Sequence, residues 1–345
     1  MTAWGLLSTA RVNRRILEGA RNSDRVQVIA VASRESGRAD AYAREHVIER
    51  AYGDYDALLH DPDVEAVYIP LPNSLHLEWT LRALGAGKHV LCEKPLSRRP
   101  TEVEEAFDVA ERAELVLSEG FMWRHHPQTE ALSKLVAEGE IGRLRMIRAS
   151  FSFQLAAVHG ADDARFQPEL DGGSLMDVGS YCVNAARFLA GEPERVYAEQ
   201  VVGASGVDVC FAATLRFPGE IVAHFDCGFT LPYRDELEVI GDEASVFVDD
   251  PWHIHSPSIE LRREPEPEKI EVAQILTEAA NSYQLELENV SDAIRGAAPL
   301  LLGREDAIGQ ARALDALRRS AETGVPVELE PSVTSSIPSS HWSDS

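Results

Sequence analysis

A lysine at the end of a buried strand is the first residue of this chain with chemistry to offer. Residues 89–97 read His-Val-Leu-Cys-Glu-Lys-Pro-Leu-Ser. The apolar run Val90–Cys92 predicts a strand inside a parallel sheet, and Glu93-Lys94-Pro95 ends it because Pro95 has no N–H for the ladder. In an open α/β sheet the carboxyl ends of the strands border the ligand crevice, so Lys94 sits where such sheets bind. Taken alone, the tripeptide reads more simply as a solvated strand end.

A second group lies nearer the N-terminus. Residues 5–13 (Gly-Leu-Leu-Ser-Thr-Ala-Arg-Val-Asn) fall between a first strand and a first helix, where a dinucleotide-binding domain carries G-x-G-x-x-G. Here Ser8, Ala10 and Asn13 take the glycine positions. Small residues over Ser8, Thr9, Ala10, Arg11 and Val12 still let a pyrophosphate approach the helix N-terminus, whose free N–H groups favour anions. The run Val-Gln-Val-Ile-Ala-Val-Ala (26–32) then ends in Ser33-Arg34, with no acid to hold ribose hydroxyls as NAD would require. A hydroxyl and a guanidinium suit a 2′-phosphate, so NADP is expected rather than NAD. Arg38, four residues on, joins Arg34 on one face if the next helix has begun. Pro70-Leu71-Pro72-Asn73-Ser74-Leu75-His76 is a rigid loop after another strand, suited to border the nicotinamide through Pro70, Leu71 and Asn73. His76 caps a helix or is exposed there.

The elements that must position these residues alternate. Strand patterns at 4–7, 26–32, 66–70, 89–92 and 115–117 interleave with helix patterns at 12–19, 37–46, 55–59, 75–86 and 100–113. Such alternation predicts βαβ units and a parallel sheet. From about residue 122 the texture changes. Helices are expected at 128–138, from 172 to 189, at 283–295 and at 303–323. Strands are expected at 144–153, 196–202, 207–217, 221–229, 236–240, 245–248 and 259–262, mostly joined by turn signals, which indicates an antiparallel sheet. An α/β domain over 1–121 is thus followed by an α+β domain over 122–330. Residues 331–345 are Ser/Pro-rich and expected to be disordered.

Composition bounds the partners. The chain has 345 residues, enough for two domains, and a formal charge of −24, which argues against nucleic acid and anionic membranes. Residues 1–50 depart from that balance with nine Arg against six acids, a patch suited to a small anion. Four scattered cysteines without a CxxC pair predict neither a disulfide framework nor a metal site. No signal-peptide pattern and no 18-residue apolar run is present, so a cytoplasmic protein is expected.

Taken in order, six stretches resemble the Gfo/Idh/MocA family of NAD(P)-dependent oxidoreductases: 5–11, 32–34, 70–76, 87–95, 121–127 and 172–181 (Gly-Gly-Ser-Leu-Met-Asp-Val-Gly-Ser-Tyr). The resemblance covers residues 1 to about 330. It implies a Rossmann domain and a second domain with a large, open, mostly antiparallel sheet that serves as a homodimer or homotetramer interface. It also implies hydride transfer between nicotinamide C4 and a carbon bearing OH or C=O on a sugar or cyclic polyol. Lys94 matches the family's active-site lysine, with the Lys94–Pro95 bond cis as in many relatives. Tyr181, where many members carry His, resembles the NADP-using branch of glucose–fructose oxidoreductase, dihydrodiol dehydrogenase, D-xylose dehydrogenase and sugar 3-ketoreductases.

Asp177 and Tyr181 are four apart on an expected helix and so share a face. Free Tyr and Lys titrate near about 10 and 10.4, high for a base at neutral pH, but a neighbouring ammonium favours phenolate. Tyr181 beside Lys94 is therefore the expected acid/base, with Lys94 polarising the oxygen and Asp177 binding an adjacent hydroxyl. Which of Lys94 and Tyr181 moves the proton stays open. Glu93 either orients Lys94 or caps a helix. Trp123, Arg124 and Arg165 are expected at the substrate, with His125 near them and Asn184 one turn beyond Tyr181. Two alternatives stand beside a sugar dehydrogenase or ketoreductase: a trans-dihydrodiol dehydrogenase, and a dinucleotide-sensing regulatory protein without turnover.

Overall fold

The structure, a computed structural model, describes residues 1–330, and the segment 331–345, expected to be disordered, lies outside the described residues. Contacts divide the chain into two compact units. The first comprises residues 1–130, 167–172 and 278–311, and the second comprises 131–166, 173–277 and 312–330 of the described residues. A single cut at 121/122 was expected, but the chain returns to the first unit after residue 277. The physical reason is a late helix, described below, that packs on the first one.

In the first unit, strands β1 (Thr2–Leu7), β2 (Val26–Ala32), β3 (Arg50–Tyr52), β4 (Ala66–Ile69), β5 (His89–Glu93) and β6 (Leu117–Gly120) form a parallel sheet. Its spatial order is β3-β2-β1-β4-β5-β6. That order reverses between β1 and β4, and the crevice at their carboxyl ends is where doubly wound sheets bind dinucleotides. Between the strands run α1 (Asn13–Arg21), α2 (Ser36–His46), α3 (Tyr55–Leu59), α4 (His76–Gly85) and α5 (Pro100–Arg112). β4 is buried along its whole length and β5 at Val90, Leu91 and Cys92, as central parallel strands require. Leu58, Ile69, Val90 and Phe107 belong to the core between sheet and helices. β3 had no readable pattern, being three half-buried residues.

In the second unit nine strands make one mixed sheet in the order β14-β13-β12-β11-β7-β10-β9-β8-β15. They are β7 (Leu144–Gln154), β8 (Arg195–Val202), β9 (Asp208–Phe217), β10 (Ile221–Gly228), β11 (Thr230–Gly241), β12 (Ala244–Val248), β13 (Ser258–Glu266), β14 (Lys269–Leu276) and β15 (Val327–Glu328). Only β10 and β7 pair in parallel; the other neighbours are antiparallel. Alternation sets the faces. Ile147, Ala149 and Phe151 of β7 are buried, while Met146 and Arg148 are exposed. The short α7 (Leu155–His159) follows β7, and α8 (Ser180–Ala190) packs on β7 and β10. β14 is exposed on nearly every residue, which leaves no two-residue pattern to read.

The remaining helices are α6 (Pro127–Ala137), α9 (Ser282–Ile294) and α10 (Arg304–Thr323). α9 packs on α1, which brings residues beyond 277 back to the first unit. No helix among the described residues is long and apolar enough to cross a membrane.

Candidate functional site

The β1–α1 turn is locked from within. The Asn13 side-chain amide donates to the Ser8 carbonyl at 2.7 Å, and the Ala10 N–H donates to Ser8 Oγ at 3.2 Å. Ser8 holds φ at +138°, a conformation that favours glycine, at one of the positions where the commoner pattern has glycine. α1 begins at Asn13 with no side chain capping it and no acid in its first turn. The N–H groups of Asn13, Arg14 and Arg15 donate to the Ala10, Arg11 and Val12 carbonyls at 3.2, 3.2 and 2.9 Å, so the turn winds directly into the helix, and the amino end carries no acid that would repel an anion.

Beside that turn lies a cavity of about 260 Å³ lined by Thr9, Ala10, Arg11, Arg14, Arg38 and Tyr42, among others. Three guanidiniums on one small cavity fit a phosphate-bearing dinucleotide. Arg34 does not line it. α2 starts at Ser36, so Arg34 precedes the helix and the shared-face argument for Arg34 and Arg38 does not hold. Both arginines nonetheless act on Tyr55. Burial raises the pKa of its phenol, and the two positive charges pull it back. Ser33 is buried, its N–H donating to the Tyr52 carbonyl at 3.0 Å. Val12 stands at the N-cap of α1.

Lys94 is buried just beyond the carboxyl end of β5, and its bond to Pro95 is cis. The segment is held at three points. Glu119 accepts the Leu96 N–H at 2.8 Å. Glu93 accepts a short hydrogen bond from the Tyr68 hydroxyl. His76 is fully buried, with Nδ1 at 2.7 Å from the Pro95 carbonyl and Nε2 at 2.7 Å from the Leu71 carbonyl. It ties the loop after β4 to the strand end bearing Lys94, rather than standing exposed or serving as a simple cap. Burial lowers its pKa, with the Lys94 charge adding to that fall. In the same loop Ser8 Oγ lies 3.5 Å from the Pro70 carbonyl, and the Asn73 amide donates to the Asp171 carbonyl at 2.9 Å. Trp123 is buried at 1% exposure, and Arg124 pairs with Asp306 at 3.3 Å. Both are built into packing within the first unit.

The second unit carries Arg165, Asp177 and Tyr181. Arg165 grips Asp163 with two nitrogens, at 2.8 and 3.1 Å, and reaches Asp177 with a third at 3.1 Å. Burial works against the guanidinium, but Asp177 and Asp163 outweigh it and raise its pKa further. Asp177 lies in a π-helical turn, Leu175–Gly179, and Tyr181 in the first turn of α8. The uninterrupted α-helix expected from 172 to 189 is thus broken by a wider turn, and the face shared by Asp177 and Tyr181 is set by that turn. The Tyr181 ring is 7% exposed and stands edge-on to Phe151 with centroids 5.6 Å apart. Trp252 lies 5.8 Å away. Asn184, one turn on, is fully buried.

With this geometry in place, comparison with known proteins decides the relationship. A family model described as an oxidoreductase family with an NAD-binding Rossmann fold matches residues 8–121, and the GFO/IDH/MocA C-terminal domain matches 129–247. The chain belongs to the Gfo/Idh/MocA oxidoreductase family. D-xylose 1-dehydrogenase (NADP(+)) 2 of Haloferax volcanii is 37% identical over 332 residues, 95% of this chain and 99% of that one. A trans-1,2-dihydrobenzene-1,2-diol dehydrogenase of Danio rerio is 32% identical over 259 residues, 74% of this chain and 76% of its own. A solved 3-ketoreductase from Actinomadura kijaniata, in complex with NADP and TDP-benzene, superposes with a TM-score of 0.85 at 31% identity, covering 92% of this chain and 97% of that one. Solved variants of that ketoreductase replace one tyrosine by phenylalanine and one lysine by alanine.

Several residues of this Gfo/Idh/MocA protein escaped the sequence reading. Arg14 lines the arginine cavity, and the local excess of arginine in residues 1–50 was its only signal. Tyr68 and Glu119 hold the strand end from 23 or more positions away, with nothing local to mark them. Asp163 stands two residues before Arg165, a spacing that could have suggested their pairing.

Proposed function

We propose that this protein is an NADP-dependent oxidoreductase of sugars or cyclic polyols, working as a dehydrogenase or, in reverse, as a ketoreductase. The observation that carries the cofactor choice is the arginine-lined cavity beside the start of α1, which no side chain caps, with no acid at the end of β2. The xylose dehydrogenase, whose name states NADP(+), and the ketoreductase solved with NADP support it. When bound, NADP supplies or accepts the hydride at nicotinamide C4.

The chain's own residues handle binding and the proton. Arg11, Arg14 and Arg38 counter phosphate charge, and Ser8 to Val12 present backbone to the pyrophosphate. Lys94 polarises the reacting oxygen, and Tyr181 gives the proton to it in reduction or takes it in oxidation. Asp177, oriented by Arg165, binds a neighbouring hydroxyl. The lysine and tyrosine variants of the ketoreductase show that residues of these two types were chosen for substitution there. A flatter, apolar diol is the second reading. The dihydrodiol dehydrogenase relative favours it, as do the Phe151 and Trp252 rings around Tyr181.

The test is NADPH formation with a panel of aldoses, polyols and a trans-dihydrodiol. Lys94→Ala and Tyr181→Phe are each expected to lower kcat by on the order of 10²-fold or more. Arg38→Ala is expected to raise KM for NADP while leaving that for NAD nearly unchanged. If Lys94→Ala and Tyr181→Phe both turn over as the wild type does, the assigned mechanism is wrong. Turnover of the diol alone would select the second reading.

A further inference from the structure

Of the two groups assigned to substrate in the second unit, Asp177 lies within a turn of unusual winding and Tyr181 just beyond its end. Residues 175–179 are π-helical and pass directly into α8. Such turns sacrifice hydrogen-bond geometry and persist where the surroundings over-determine them. Both ends of this one are held. At its start, one oxygen of Asp208, the first residue of β9, accepts from Ser174 Oγ at 2.6 Å and from the Leu175 N–H at 2.8 Å. The other oxygen occupies the space that a Cβ on Gly173 would take, only 2.1 Å from it, and Gly173 holds φ at +118°. At its end, a Cβ on Gly179 would stand 2.9 Å from Cys227 Sγ of β10.

Gly173 links this clamp to the reacting groups. Its N–H donates to the Arg165 carbonyl at 3.0 Å, and its carbonyl accepts the Asp177 N–H at 3.2 Å. Ser180 Oγ closes the chain by donating to the Asp177 carbonyl at 2.6 Å. The carboxylate on β9 thus holds Ser174 and Leu175, directly after the glycine whose N–H meets the Arg165 carbonyl and whose carbonyl meets the Asp177 N–H, a few residues before Tyr181. Burial pushes the Asp208 carboxyl up, and the Ser174 and Leu175 hydrogen bonds draw it only part of the way back.

We propose that Asp208 is a positioning residue for the oxidoreductase reaction, setting Asp177 and Tyr181 by clamping the mouth of the π-helical turn. This rests on the reading of Tyr181 as acid/base. A misplacement of about 1 Å at a reacting group costs on the order of 10²-fold in rate, so the clamp is read in kcat rather than in cofactor affinity.

The experiment uses the full chain with the panel substrate that gives the highest turnover, and compares Asp208→Ala, Asp208→Asn, Ser174→Ala and Tyr181→Phe. Asp208→Ala is expected to lower kcat about 10- to 100-fold and to shift the pH profile of kcat. NADPH affinity, read by fluorescence titration, is expected to stay within about twofold, because the arginine cavity belongs to the other unit. Asp208→Asn keeps a carbonyl acceptor and is expected to recover most of the loss, with Ser174→Ala falling a few-fold. A crystal of Asp208→Ala is expected to show the turn rewound; an unchanged π-helical turn overturns the clamp. So does wild-type kcat with a wild-type pH profile, or a joint loss of kcat, NADPH affinity and Tm that Asp208→Asn does not relieve. Should Asp208→Ala fail to fold, Asp208→Asn and Ser174→Ala decide by the same kcat and pH readouts. An inactive Tyr181→Phe beside a fully active Asp208→Ala sinks the positioning role alone. A fully active Tyr181→Phe sinks the acid/base reading and the positioning role with it.

Discussion

His125 shows how a single side chain sets a response to acid. Burial, and then the adjacent Arg124, keep its imidazole neutral, with the pKa pushed down to about 3. Its Nε2 has no hydrogen-bond partner among the described residues. An unfolded chain binds a proton at this position near pH ~6.5, and the native one does not until far lower pH. Stability is therefore intact above about 6.5 and falls as pH drops below it, by up to about 1.4 kcal/mol per pH unit from this group. His76 acts in the same direction, since burial lowers it too. Urea midpoints are expected to fall between pH 6.5 and 4.5, and His125→Gln to flatten that slope while His76 keeps part of it. An unaltered slope in His125→Gln would mean that the native imidazole takes up its proton at an ordinary pH. That Lys94 follows a strand end and that Tyr181 lies on a helix was legible at this same scale, because both patterns are local. The tie from His76 to the Pro95 and Leu71 carbonyls was not, since a histidine's burial depends on what folds over it.

Among the elements, the contact between α1 and α9 is the one chain order conceals. Gly19 makes it possible: a Cβ there would stand 2.7 Å from the Gln284 backbone nitrogen and 3.0 Å from its Cα. Glycine inside an exposed helix costs about 1 kcal/mol relative to alanine, so the intrinsic effect of Gly19→Ala is stabilising. The close approach reverses that sign. Pushing α9 outward disturbs Tyr283 and the buried Glu286, and overpacking of this kind costs about 1–3 kcal/mol. Gly19→Ala is expected to lower Tm, as read by calorimetry, whereas a raised Tm would show that α9 yields without cost. The limits of α9 were read from sequence to within a residue, but its allegiance was not. The apolar stripe of an amphipathic helix says that it must be covered, not by which neighbour.

For the whole molecule, the second unit's sheet poses the open question of assembly. Met146 and Arg148 of β7 and Tyr197 of β8 stand exposed on strands whose alternate residues are buried. We propose that this face joins copies of the chain into a homodimer or homotetramer. Sedimentation velocity is expected to give a dimer or tetramer that Tyr197→Glu shifts toward monomer; a monomeric wild type would count against it. The sequence alone determined the alternation of strands and helices, the change of texture near residue 122, and the arginine-rich start, because periods of 2 and 3.6 and local charge are written residue by residue. Only the tertiary structure decided that residues 278–311 close the first unit, that Arg165 engages Asp177, and that a π-helical turn interrupts the expected helix. Each of these depends on the tertiary contacts that surround it, as with Asp208 on Leu175 or Gly19 against Gln284, and such contacts leave no periodic trace in the chain.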